Sequence, residues 1–330
     1  MTVYGLPWPG PETARAAEAA GIAAFCSGEF VDHEAYSTLA EMALHSERAQ
    51  VGPSIAYAFA RTPYAHAAAV RGVWAHAPGR VFLGLGAGAY RINRDWFGVD
   101  ADRPVARMAD LAGAVRAWLH AENGEPVRYQ GEFYSVDATV GAPVLGRIDA
   151  PILFGAFNKV MATAAARVAD GIIGHGLFTR RWWDDVVRPA LERGSAERET
   201  PVLEHGWVIT AVDDDDPARA IDDARRMIAF YLTVKTYDPY VEHHGWTRPV
   251  AVIREAFARH DTDAMARAVT DDMLDAIAVC GTTADGRAAL ARRGDSLARD
   301  VVFLAPPSFL VGARRKNRYA LASLALVARP

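Results

Sequence analysis

The stretch Arg80–Gly88, R-V-F-L-G-L-G-A-G, decides the fold. Val81, Phe82, Leu83 and Leu85 form a short apolar run without polar alternation, the mark of a strand covered by helices on both faces of a parallel sheet. Gly84, Gly86 and Gly88 follow one another at alternate positions. Glycine there leaves backbone without a Cβ, so either a flat ring or a phosphate can come close, or the chain itself packs tightly against the strand. Outward from this stretch the same unit recurs, a short apolar strand and then a helix. Upstream, Val3–Leu6, Ile22–Cys26 and Gln50–Phe59 read as strands. The helices between them run over Pro11–Ala20, from a cap at Asp32 to His45, and over Pro63–Ala77. Gly52-Pro53 inside the third strand predicts a bulge, because proline gives no N–H to the ladder.

Downstream, strands are expected at Ile152–Phe154, Gly171–Gly174, Val202–Val212 and Val301–Leu304. Helices are expected at Pro104–Ala121, Asn158–Ala169, Trp182–Gly194 and through much of Pro217–Ala278. Thr282 and Asp285 have the spacing of a capping box for a further helix to Arg293. Val127–Val136, with Gly131 at its middle, reads as a β-hairpin outside the alternation. The acidic run Asp213–Asp216 is either a solvated face or a complement to the positive end of the helix after Pro217. Eight strands, each followed by a helix, are the count of a (β/α)8 TIM barrel with insertions, an α/β fold, here as a single domain over residues 1–330.

The 330 residues, 51% hydrophobic, suffice for one large α/β domain. A net charge of −4 argues against a non-specific nucleic-acid binder. Two cysteines, Cys26 and Cys280, cannot make a disulfide framework and fit a reducing cytoplasm. Neither a signal peptide nor a membrane-length apolar run is expected.

A barrel of this kind works at the C-terminal ends of its strands. That places Glu29, Ser54–Tyr57, Gly86–Tyr90, Gly155–Asn158 and His175-Gly176 in one candidate site. Small residues, backbone and aromatics dominate it, and carboxylates are few. Such a lining suits a large planar cofactor with a phosphate tail better than hydrolysis by side chains. Gly84-x-Gly86-x-x-Ala89 formally matches a dinucleotide fingerprint, but Tyr90–Arg94 does not read as the apolar helix that motif requires. No metal is expected, because His243 and His244 are adjacent and point apart. His175 is either a phosphate or substrate contact or a polar cap on its strand. Trp182-Trp183 reads as packing, and Lys235–Trp246 as either a lid or a surface connection.

The ordered segments Ala14–Ile22, G-P-S-I-A-Y-A-F-A-R-T-P (Gly52–Pro63), G-R-V-F-L-G-L-G-A-G (Gly79–Gly88), Y-Q-G-E-F-Y (Tyr129–Tyr134), P-I-L-F-G-A (Pro151–Ala156), A-D-G (Ala169–Gly171) and C-G-T (Cys280–Thr282) together resemble the bacterial luciferase-like superfamily. Within it they are most similar to the oxidoreductases that use the deazaflavin coenzyme F420. The resemblance implies a flavin or deazaflavin at the strand ends, a small-molecule substrate and often a homodimer. It implies that Ser54-Ile55 is a bulge with a cis peptide bond behind the ring system. It also implies that Gly86, Ala87 and Gly88 lie beside the ring's pyrimidine side, and that Gly155, Ala156, Phe157 and Asn158 receive the phosphate, with His175-Gly176 next to them. The sugar-phosphate dehydrogenases of this family carry an aspartate–histidine pair where this chain has Glu29-Phe30, and a glutamate where it has Ala89. Their substrate therefore does not transfer. The proton donor is to be sought among Glu29, Tyr57, Tyr90 and His175. The reading is an F420-dependent oxidoreductase, with an FMN-dependent monooxygenase of the same fold or a non-catalytic paralogue as alternatives.

Overall fold

A computed structural model of the chain describes residues 3–31, 33–141, 146–294, 298–308 and 310–327. Its strands, in chain order, are β1 Val3–Pro7, β2 Ile22–Ser27, β3 Gln50–Pro53, β4 Ala56–Tyr57, β5 Leu83–Gly86, β6 Pro126–Gln130, β7 Ser135–Thr139, β8 Ile152–Gly155, β9 Gly171–Ile173, β10 Leu203–Val212, β11 Ala278–Gly281 and β12 Val301–Ala305. The described chain separates into two compact units.

One unit comprises residues 23–173 and 187–204. In it β2 runs parallel to β3, with Ala24 opposite Gln50 and Ser27 opposite Pro53. A second parallel set joins β4 to β5, β5 to β8 and β8 to β9. Every residue of β5 is buried, as a strand covered on both faces requires. The helices Ala35–His45, Pro63–Trp74, Pro104–Leu119 and Lys159–Val168 alternate with these strands. The expected hairpin is present as β6 against β7, Pro126 opposite Thr139. The expected strand over Gln50–Phe59 divides at Ser54-Ile55, where the peptide bond is cis. Asp32, expected to cap the next helix, lies outside the described residues; Glu34 caps it, accepting from the Ser37 N–H at 2.8 Å. Tyr90–Asp95 is helical after all, a short helix whose buried residue is Asn93.

The other unit comprises residues 1–22, 174–186 and 205–330. Here β1 pairs with β12, and β10 pairs with both β12 and β11, all parallel. β11 had no counterpart among the expected strands: its four residues follow directly on the helix Asp271–Ile277, and only its pairing with Ile209–Val212 makes it a strand. The capping box forms, with the Asp285 N–H donating to the Thr282 hydroxyl and the Thr282 N–H donating to the Asp285 carboxylate. The helix that the count calls for after the last strand, for which no range was expected, is Ala313–Val327. It accounts for part of the acidic run. Arg318 pairs with Asp213 at 2.5 Å and with Asp215 at 2.9 Å, Asp214 accepts from Thr283, and Asp216 caps the helix Pro217–Leu232. The run is therefore mostly engaged rather than merely solvated.

Among the described residues no helix is long and apolar enough to cross a membrane. Trp182 and Trp183 are buried, as expected for packing residues.

Candidate active site

The glycines of β5 owe their identity to crowding. A Cβ on Gly84 would stand 2.1 Å from the Pro53 carbonyl oxygen and 2.4 Å from Ile173 Cδ1. One on Gly86 would stand 2.5 Å from Ile55 Cδ1 and Cγ1, and one on Gly155 would stand 3.3 Å from Ile55 Cγ2. Real carbon atoms cannot share such space without displacement. Of the two meanings left open for these glycines, close packing therefore holds at Gly84 and Gly86. The bend at residues 53–55 fills the room they leave, and Ile55 is the side chain that touches both strand ends. Gly88 differs, since its φ of 69° is left-handed backbone that favours glycine. The Tyr57 ring lies 3.2 Å from where its Cβ would be.

Glu29 emerges from β2 onto this framework and is held fast. One carboxylate oxygen accepts from the Tyr57 N–H at 2.7 Å and from Arg61 Nη1 at 3.0 Å. The other oxygen accepts from Arg61 Nη2, and Arg61 also reaches Glu34 at 2.5 Å. Burial alone pushes the Glu29 carboxyl up, but the hydrogen bonds from Arg61 and Tyr57 outweigh it and hold it below the usual carboxylate range. Glu29 is thus ionised at neutral pH. Arg61 stands in the quoted segment Gly52–Pro63, yet nothing in the sequence tied it to a carboxylate 32 positions earlier.

Asn93 is a second residue the sequence did not single out. It is 1% exposed, and its amide donates to the carbonyls of Ala87 at 2.8 Å and Ala89 at 3.2 Å. Its Oδ1 is buried without a partner among the described residues. Tyr90, by contrast, is 56% exposed, with the Arg94 guanidinium 5.5 Å from its ring centre. Phe30 and Trp96 meet edge to face at 5.7 Å, as do Tyr57 and Phe97 at 5.2 Å, so aromatic rings surround the loop ends of β2, β4 and β5.

Gly155–Asn158 leads from β8 into the helix Lys159–Val168. Asn158 caps that helix itself, accepting from the N–H groups of Val160 at 3.1 Å and Met161 at 3.0 Å. The Ala156 N–H donates to the Ile173 carbonyl. The second and third N–H groups of that helix start are thus already satisfied.

His175 and Gly176 lie in the other unit. The Leu177 N–H donates to His175 Nδ1 at 3.2 Å, so the ring proton sits on Nε2 and is donated to the Tyr237 oxygen, also at 3.2 Å. The rings of Tyr231 and Tyr237 flank the imidazole at 4.5 and 5.3 Å. Desolvation there pulls its pKa down to about 4, so His175 is neutral at physiological pH. Two further bonds follow on the same helical face. The Tyr240 hydroxyl donates to the Leu177 carbonyl at 2.6 Å, and Thr179 Oγ1 donates to His244 Nε2 at 2.7 Å. The stretch Lys235–Trp246 is therefore strapped down over residues 175–179. His243 and His244, expected to point apart, instead meet edge to face with ring centres 5.2 Å apart, His243 also lying 3.1 Å from Asp185.

Of the residues expected at the site, Glu29, Ser54, Ile55, Tyr57, Gly86–Gly88, Tyr90 and Gly155–Asn158 belong to one unit, and His175 and Gly176 to the other. Within the first, the contacts bring together Ile55, Gly86 and Gly155, and separately Glu29, Tyr57 and Gly88.

This architecture is known. The structure of a coenzyme F420 dependent tetrahydromethanopterin reductase from Methanopyrus kandleri superposes with a TM-score of 0.76 at 19% identity, over 99% of this chain and 97% of that one. It places the fold among the TIM barrels, as the strand count implied. In sequence, an uncharacterized protein of Mycobacterium tuberculosis is 31% identical over 258 residues, 76% of each chain. A 5,10-methylenetetrahydromethanopterin reductase of Archaeoglobus fulgidus is 26% identical over 259 residues, 76% of this chain and 75% of that one. Residues 10–300 match the luciferase-like monooxygenase family throughout, and the chain belongs to that family.

Proposed function

We propose that this protein is an F420-dependent oxidoreductase that moves hydride between the deazaflavin and a small organic substrate. The observation that carries the reading is the state of the strand-end side chains. The one carboxylate expected there, Glu29, is ionised and closed onto Arg61, so it is not free to act as an acid. Chemistry at such a site is the cofactor's, and the protein supplies placement and a shaped surface. The similarity to methanopterin reductases points to deazaflavin as that cofactor.

The residues present fit such a group. The backbone of Gly86–Gly88, stiffened by the two Asn93 bonds, offers uncharged hydrogen-bonding groups to a pyrimidine edge. Ile55 and the surrounding aromatic rings offer apolar surface to a ring system. Gly155–Asn158 and the start of the following helix would take the phosphate, through N–H groups other than those Asn158 occupies. Bound there, F420 supplies the hydride chemistry at its C5.

Titration of the apoprotein with F420 and, separately, with FMN, followed by fluorescence, tests this. F420 is expected to bind at least about tenfold more tightly, equivalent to ~1.4 kcal/mol. Tighter FMN binding makes the protein a monooxygenase of the same family, and binding of neither makes it a non-catalytic relative. Gly155→Val is expected to weaken F420 binding by about tenfold or more, because the new side chain both meets Ile55 and covers the backbone at the phosphate loop. An unchanged affinity in this variant moves the phosphate away from residues 155–158.

A further inference from the structure

The four candidate proton donors separate on their hydrogen bonds. Glu29 is ionised, with both oxygens engaged. Tyr90 stands in solvent beneath Arg94. His175 holds one proton and gives it to Tyr237. Tyr57 is different. It is half-buried, its ring is wedged between Phe97 and the backbone at Gly88, and its own N–H is fixed by Glu29. In strand register it lies directly opposite Gly86. Among the described residues its hydroxyl has no hydrogen-bond partner. A ring held in place at a strand end, with a hydroxyl that no described residue engages and that stays open to solvent, can give its proton to a ligand atom.

We infer that Tyr57 is the proton donor of the reaction, an assignment that rests on the F420 reading above. In the reducing direction, hydride from the reduced deazaflavin bonds to one end of a C=O or C=C group of the substrate. The π pair moves to the other end and takes the Tyr57 proton, and water then reprotonates the phenolate. Burial, and after it the Glu29 charge, raises the Tyr57 pKa, so the hydroxyl keeps its proton at neutral pH until the substrate atom becomes basic. The Glu29–Arg61 pair has a stated part in this, holding the Tyr57 backbone while leaving the hydroxyl untouched.

Protein isotope-labelled at the tyrosine Cζ atoms tests the assignment by NMR, with the Tyr57 signal identified by its loss in Tyr57→Phe. Addition of F420 is expected to move the Tyr57 signal and to leave that of Tyr90 in place; a Tyr57 signal that does not move overturns the inference. With reduced F420 and 2-cyclohexen-1-one as the probe acceptor, Tyr57→Phe is expected to slow F420 oxidation about a hundredfold while the F420 Kd stays within about twofold. Equal rates in wild type and Tyr57→Phe overturn it as well. Failure of the wild type to bind F420 at all is the distinct result that removes the cofactor reading and this inference together.

Discussion

Gly84→Ala is expected to cost the protein about 3 kcal/mol or more of stability, at or beyond the upper end of ordinary overpacking. The added carbon would sit 2.1 Å from a backbone oxygen, that of Pro53. A side chain can rotate away from an intruder, but this oxygen is backbone where β3 leads to β4 and moves only if the chain moves with it. The 2.4 Å approach to Ile173 Cδ1 is milder, because that methyl is the far end of a flexible chain. Gly72→Ala is the matched control. Gly72 lies within the helix Pro63–Trp74 with nothing within 4 Å of its Cβ position, and the change is expected to stabilise by about 0.5–1 kcal/mol through helix propensity. Urea denaturation of the two variants beside the wild type checks both signs. A Gly84→Ala protein as stable as the wild type would mean that the bend at residues 53–55 is softer than its packing shows.

The second large effect is a loss of stability in mild acid. His66 is fully buried and both its nitrogens are engaged. Nε2 donates to the Ala58 carbonyl at 3.0 Å, and Nδ1 accepts from the Tyr36 hydroxyl at 2.6 Å. Desolvation lowers its pKa to about 4. Above the unfolded value of ~6.5, folded and unfolded chains are both neutral here and stability does not depend on this group. Below it the unfolded chain takes up a proton that the native state refuses, so stability falls as pH drops toward 4. At ~1.4 kcal/mol per pH unit the loss reaches roughly 3 kcal/mol. His205, also buried and also lowered to about 4, adds to it in the same direction. Denaturation at pH 7 and pH 4.5 should show the wild type losing stability steeply, whereas His66→Gln, weaker at pH 7, should lose less over the same interval. Parallel losses in the two proteins would show that His66 does not enter the fold neutral.

Much of the architecture was legible because it depends on local chemistry. The apolar runs, the Gly-Pro interruption at residues 52–53 and the Thr282–Asp285 capping box each carry their own signal within a few residues. β11 was not legible, because A-V-C-G at the end of a helix becomes a strand only through its partner, Ile209–Val212. The C-terminal helix begins with A-R-R-K-N-R, which shows little apolar periodicity before Tyr319 and Ala320 bury. At the candidate site the glycines could be seen but not what stood against them, since a missing Cβ does not name its neighbour. Glu29 could be picked out as a lone carboxylate, but its ionisation follows from Arg61, and its anchoring role from the Tyr57 N–H, both distant in sequence. Asn93 gave no signal, because a buried amide that braces a loop reads in sequence as one more polar residue on a short helix.

The contact of Ile55 with both Gly86 and Gly155 has a bearing on how this chain can change over generations. The three positions share one small volume, so no one of them is free to vary by itself. A larger residue at 86 is harmful while Ile55 stands, yet becomes acceptable once position 55 has first shrunk to alanine, which removes both carbons that approach to 2.5 Å; the reverse order passes through an unfit intermediate. Descendants of this sequence are therefore constrained in the order of their substitutions as well as in their kind. A survey that scores each position separately would misjudge all three, because the tolerance of each is set by the occupant of the others.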